Sequence, residues 1–175
     1  GRVTEEGGRL RSFQRRRLDE SDVDLHILAE PYGDKGPDLA AQALEAIGRI
    51  FLQDRLSLTG GLTRALRSTH ATLVDWNKRS LPRDQVSAGI TAAIVNGTVV
   101  YLAQCGPSLA YLRRNDKLER LVAVDPASNV PFGEGELEPA VRRLDLAAGE
   151  PISSLAVPTP AGSWKLTWGI STTTR

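Results

Sequence analysis

The 175-residue sequence holds a single cysteine, Cys105, so it has no internal disulfide framework, and that poverty suits a reducing compartment. Its two histidines add little: a four-coordinate His/Cys zinc site needs more ligands than these. There is no charge of one sign to spare, with 22 Lys plus Arg against 21 Asp plus Glu. Such a balance asks for neither nucleic acid nor an acidic membrane as partner. No apolar run approaches the roughly 20 residues that span a bilayer. The polar N-terminus carries no signal-peptide pattern, so the expected location is the cytoplasm. Internal repeats are missing, and so is low complexity beyond the Thr-rich end.

What remains is ordinary for a soluble globular chain. Hydrophobic residues make up 41% and charged ones 25%, enough for one domain with a sizeable core. Residues 1–24 read as a polar N-terminal segment and 25–175 as a single domain. Within the first segment Arg9, Arg11, Arg15, Arg16 and Arg17 form a basic run, followed by Asp19, Glu20, Asp22 and Asp24. Arginines alone would suggest a phosphate or nucleic-acid patch. The adjoining acids cancel that field and favour a solvated strand edge or tail.

LHILAE (25–30) suits a buried strand, and PYGDKGP (31–37) is a loop by composition. A helix follows, with Asp38 in its first turn to complement the dipole. Its stripe is Leu39, Ala43, Ala46 and Ile50, widened by Ile47 and Phe51. A second helix begins near Thr59 or Gly60 and presents Leu62, Leu66, Leu73 and Trp76, with Ala65 and Thr69 filling the face. His70 sits on or beside that face, where a hydrogen-bonded core histidine is expected. After the exit loop 80–87, AAIV, NG and TVVYLAQ form a hairpin whose Asn96-Gly97 suits a type I′ turn. A CGPS corner leads to LAYLRR, ND and KLERL, a second hairpin, so that four antiparallel strands are expected in one meander. AVRRLDLAAGEP supplies one more strand and turn, and WKLTWGI another strand. Two antiparallel helices then cover one face of the sheet, an α+β pattern.

Several chemistries can be weighed on single residues. Cys105 with His26 or His70 has the elements of a thiol nucleophile and base; at a strand end Cys105 is instead expected as a small buried hydrophobe. GEGE (133–136) lacks the third glycine and following helix of a phosphate loop and reads as a turn. Ser153, Ser154 and Thr172–Thr174 are hydroxyl side chains that nothing in the sequence selects for modification.

Three segments resemble the metal-dependent serine/threonine protein phosphatases of the PPM, or PP2C, family. LHILAEPYGDKGPDLAAQAL resembles the family's V-A-D-G-M-G-G…G…A-S segment. SAGITAAIVNGTVVYLAQ resembles G-x-G-T-T-A-V…G…L-x-V-A-x, and CGPSLAYLRRNDKLERLVAVD resembles V-G-D-S-R-A-Y-L-x-R-x-G-x-L-x-x-L-T-x-D-H. The similarity covers about 25–150. It implies a sandwich of antiparallel sheets flanked by pairs of antiparallel helices, here shortened at the C-terminus. The implied chemistry is hydrolysis of phosphoserine or phosphothreonine by water bound to two Mg²⁺ or Mn²⁺ ions, which hard carboxylate oxygens hold.

Residue by residue, this sequence departs from that pattern. Glu30 stands at the family's bridging aspartate and Pro31 at the following glycine. Tyr32 takes a position where eukaryotic members have a histidine acid and bacterial members vary. Gly33 is retained, but Asp34 replaces the second glycine. The G-D-S-R corner is Gly106-Pro107-Ser108-Leu109, without its acid or its arginine. The later S-D-G-L segment aligns either at AAGEPISSLAVP, giving Val157 for the aspartate, or at SWKLTWGIS, giving Trp168. The D-N-x-T word has no counterpart, and the family's phosphate-binding arginine and N-E-D word are not recognisable at the front.

A pair of ions roughly 3.5–4 Å apart carries about four positive charges, against which the pattern offers only Glu30 and Asp34. The expectation is a PP2C-like domain without catalytic residues, metal or other cofactor. It would be a pseudophosphatase acting as a regulatory or binding module for an unidentified protein partner, with homodimerisation through an uncovered sheet edge as one form of assembly. The alternative is an active phosphatase with Mg²⁺ or Mn²⁺ in a rearranged site built from Glu30, Asp34 and either Asp22 or Asp24.

Overall fold

In the computed structural model the apolar run at 25–30 extends both ways into one strand, β3 (Asp22–Tyr32). Val23, Leu25, Ile27 and Ala29 are fully buried on one face, while Asp24, His26, Leu28 and Glu30 alternate on the other, the period of two that a pleated strand imposes. The structure describes residues 3–6, 10–16, 22–32, 35–55, 57–108, 110–114, 117–121, 130–145, 152–158 and 164–170.

Two strands precede β3: β1 (Val3–Glu6) and β2 (Leu10–Arg16). Residues 10–16 therefore belong to the sheet instead of trailing from it. Phe13 pairs with Leu25 and is 2% exposed; its ring presses on the first helix, α1 (Gly36–Gln53), at Gly48, where a Cβ would lie 2.1 Å from the ring tip. Arg15 is structural as well. Its Nη1 donates to the Phe51 carbonyl at 3.1 Å, and its guanidinium lies 5.5 Å from the centre of the Phe51 ring. A helix C-terminus carries partial negative charge, and α1 has no basic residue in its own last turn, so β2 supplies the cation.

The helices are α1 (Gly36–Gln53) and α2 (Leu58–Arg79), antiparallel on one face of the sheet. Pro37 occupies the first turn of α1, where its missing N–H is harmless. The stripe buried against the sheet is Ala40, Ala43, Leu44, Ile47 and Phe51; Leu39, Ala46 and Ile50 of the expected stripe are only half-buried. Ser57 caps α2 by accepting the Gly60 N–H at 3.2 Å. Leu62, Ala65, Leu66, Thr69 and His70 are buried, but Trp76 is 46% exposed. Its expected place in the core is taken by Asn77, which satisfies three backbone groups there.

A 3₁₀ turn (Pro82–Asp84) leads to β4 (Ser87–Asn96) and β5 (Val99–Cys105). Asn96 pairs with Val99, so the two turn residues are Gly97 and Thr98, with Gly97 first at φ +60°. The turn falls one residue later than the expected Asn96-Gly97 and has glycine where a type II′ turn places it. The expected four-stranded meander then breaks. β6 (Ala110–Arg114) and β7 (Lys117–Leu121) form their own two-stranded sheet, and the free edge of β5 is taken by β8 (Ala140–Asp145). The cause is the corner at Gly106, whose φ of +70° turns the chain out of the sheet plane. The main sheet runs β1-β2-β3-β4-β5-β8, antiparallel throughout. On the face away from the helices, Ala110 and Leu121 of the β6–β7 hairpin cover Ala93, Val95, Val100 and Leu102. β9 (Ile152–Pro158) and β10 (Trp164–Ile170) pair with each other, and β9 lies beside β6. This is the expected α+β arrangement, with one pair of long helices among the described residues.

Candidate functional site

The residues singled out by sequence meet where β3 ends. Glu30 lies opposite Gly89, Pro31 opposite Ala88 and Tyr32 opposite Ser87, so Pro31 and Tyr32, expected in a loop, complete the strand. A proline fits there for a definite reason. Both backbone groups of Ala88 point away from β3: its N–H donates to Phe132 O at 3.0 Å and its carbonyl accepts the Phe132 N–H at 2.8 Å. The Pro31–Ala88 pair is thus of the type that exchanges no hydrogen bonds, and nothing is lost with the missing N–H.

The CGPS corner docks against this strand end. Ser108 N–H donates to Gly106 O at 2.8 Å, closing a three-residue turn. Ser108 Oγ donates to Ile90 O and the Gln104 side-chain amide to Ser108 O, each at 3.3 Å. A Cβ on Gly89 would stand 2.4 Å from the Pro107 carbonyl oxygen, so only glycine admits the corner so closely. Tyr32 Oη donates to the same oxygen at 3.3 Å. Burial first, then the neighbouring Glu30 carboxylate, pushes the Tyr32 phenol above its ordinary range, which keeps the donating proton in place. Glu30, Pro31, Tyr32, Gly106 and Pro107 are therefore neighbours in space as well as in pattern. Gly33 and Asp34 lie outside the described residues.

Among the described residues these donors do not fit two divalent cations, and Asp34 of the alternative site lies outside them. Glu30 is the acid at the strand end, and among the described residues no three His, Cys, Asp or Glu side chains form a group able to hold a metal. Asp22 and Asp24 cannot join Glu30, because all three lie on the one unbroken strand: at about 3.3 Å per residue, Asp24 is ~20 Å away. Val157 and Trp168 fall in the β9–β10 hairpin, which is not paired with the main sheet.

Two oxygens near the corner are not among the expected site residues, although Thr91 falls at a threonine of the G-x-G-T-T-A-V word. Thr91 and Gln104 face each other across β4 and β5, are 1% and 4% exposed, and their Oγ1 and Oε1 atoms have no hydrogen-bond partner. A Thr and a Gln inside otherwise apolar strands were the available signal. Neutral oxygens of this kind suit a small hydrogen-bond donor and add no charge to balance a metal.

The thiol chemistry does not assemble. Cys105 packs in the core cluster facing the helices, and burial pushes its thiol up to about 12, away from the reactive thiolate. His26 is on the opposite face of the sheet, its Nδ1 2.8 Å from Ser12 Oγ. Both nitrogens of His70 are taken up by backbone groups of the 133–135 turn. As expected, GEGE lies in a turn.

No family model matches the sequence, and no curated protein matches it. Solved structures do. A serine/threonine phosphatase from S. agalactiae superposes with a TM-score of 0.67 at 15% identity, covering 88% of this chain and 74% of that one. Stp1 from Staphylococcus aureus, a serine/threonine phosphatase, gives 0.64 at 11% identity over 91% and 72% of the two chains. The catalytic domain of the serine/threonine protein phosphatase PstP, in complex with two manganese ions, gives 0.60 at 16% identity over 85% and 76%. The fold of this chain is that of the bacterial PP2C-type serine/threonine phosphatases.

Proposed function

We propose that this chain, built on the PP2C-type phosphatase fold, is a pseudophosphatase that binds and regulates a protein partner without hydrolysing phosphoserine or phosphothreonine. The observation that supports this reading is the corner. At the family's acidic position stands Pro107, and its carbonyl packs on Gly89 and accepts the Tyr32 hydroxyl. Neutral groups thus close in beside Glu30, where a phosphatase would gather anionic oxygen against two divalent ions. The partner this reading needs is another protein, and its setting is cytoplasmic signalling. Among the described residues no helix is long and apolar enough to cross a membrane.

The test is an assay on p-nitrophenyl phosphate and a phosphothreonine peptide with Mn²⁺ in excess, paired with calorimetric titration of Mn²⁺. Turnover at the level of a protein blank is expected, with no binding heat at millimolar metal. Turnover above the blank that disappears in Glu30→Ala would overturn the proposal.

A further inference from the structure

β4 keeps β3 but loses its β5 neighbour below Ile90, because the last β4–β5 pair is Ile90–Cys105 and the chain then turns away at Gly106. The 130–139 loop takes over that edge through the two-bond bridge between Phe132 and Ala88. It is fastened from α2. His70, 6% exposed, accepts the Gly133 N–H at Nδ1 over 3.0 Å, and its Nε2 lies 3.2 Å from Gly135 O. Asn77 holds the Gly133 carbonyl at 2.9 Å. The Phe132 ring meets the imidazole edge-on at 5.4 Å.

A backbone N–H can only donate, so Nδ1 carries no proton and Nε2–H donates to Gly135 O. Protonating Nδ1 and keeping the Gly133 bond exclude one another, since two N–H groups would then face each other. We propose that His70 is a proton-sensitive latch: on protonation it releases Gly133, frees the 131–135 segment from α2 and uncovers the backbone of β4 at Ala88, beside the corner.

Few charges face the ring among the described residues. On α2 there is Arg67, one turn earlier and ion-paired with Glu138 at 2.8 Å. The loop brings Glu134, Glu136 and Glu138, all exposed. The cluster formed by α1 and the sheet has Cys105 and, at its rim, Tyr101 as titratable members. Thiols and phenols gain no charge over the range in which histidine protonates, which leaves the imidazole as the switching group.

The test uses the intact chain, ¹⁵N-labelled. Ring nitrogen shifts read the tautomer of His70, and amide protection factors at Gly133 and Ala88 are followed from about pH 8 to about pH 5, with Ile47 of α1 as reference. The Nε2–H tautomer is expected at the upper end. As the imidazole protonates, protection at Gly133 and Ala88 is expected to fall by about tenfold per pH unit, while Ile47 stays protected. His70→Gln, whose amide offers an acceptor and a donor but does not titrate, is expected to give a flat profile. The Nδ1–H tautomer, flat protection in the wild type, equal loss at Ile47, or an unchanged pH dependence in His70→Gln would each overturn the latch. Should that variant not fold, the tautomer and the wild-type profile decide alone.

Discussion

His26 shows how far one buried side chain can be read. Burial lowers its proton affinity below the ordinary value of 6.5, and Asp24 offsets this only in part. The unfolded chain therefore takes up the proton first. Stability from this source is complete above about pH 6.5 and is lost as pH falls towards the depressed folded value. Denaturant midpoints measured from about pH 7.5 to 5 should fall in the wild type and fall less in His26→Gln. Of the site residues, Glu30, Pro31 and Pro107 were legible because a motif marks them by position. Arg15 and Gln104 were not, since a cap on another element and an orphaned oxygen depend on neighbours 36 residues away or across a strand pair. Thr91 stands at a motif threonine, but the motif does not show that its oxygen is left without a partner.

Among elements, the ones with a strong period or a nearby turn signal were legible: β3, both helices and the β4–β5 hairpin, whose turn nevertheless falls at Gly97-Thr98 because Asn96 pairs with Val99. The break between β5 and β6 was not, because a meander and an exit from the sheet have the same local pattern, and the difference rests on Gly106 at φ +70°. β9 has a weak local strand signal, because two serines interrupt its apolar residues and a proline ends it. At the end of α2 the pattern pointed to Trp76 as core, yet Asn77 is the residue that fixes the neighbouring chain. Its amide donates to Val86 O and Gly133 O at 2.7 and 2.9 Å, and its carbonyl accepts the Val86 N–H at 3.0 Å. Asn77→Ala would leave those buried groups unsatisfied, at about 1–3 kcal/mol for each one that water cannot reach. A loss of about 2–4 kcal/mol in unfolding free energy is expected, read as a lower urea midpoint at unchanged slope.

At the scale of the molecule, β8 is an outer strand of the main sheet, the kind of edge through which sheets join. Its own sequence resists self-pairing. An antiparallel two-fold contact sets Arg142 against its copy, or Arg143 against its copy, depending on which is central, and like charges directly opposite are destabilising. Sedimentation velocity at tens of micromolar should show a monomer at about 0.1 M salt, where such charges are screened only beyond about 10 Å. The double change Arg142→Thr and Arg143→Thr should increase association. A wild-type dimer at low salt that this pair of changes leaves intact would locate the contact elsewhere.

The corner has one more consequence. A Cβ on Gly106 would lie 3.1 Å from the Pro131 Cα, so the chain departs at 106 and comes back at 131 almost to the same point. The described residues between, β6 and β7 among them, form a cassette with adjoining ends, the geometry that lets one domain accept an insert. Exchanging it would resurface the side opposite the helices, where Ala110 and Leu121 lie, and leave the helix-side core in place.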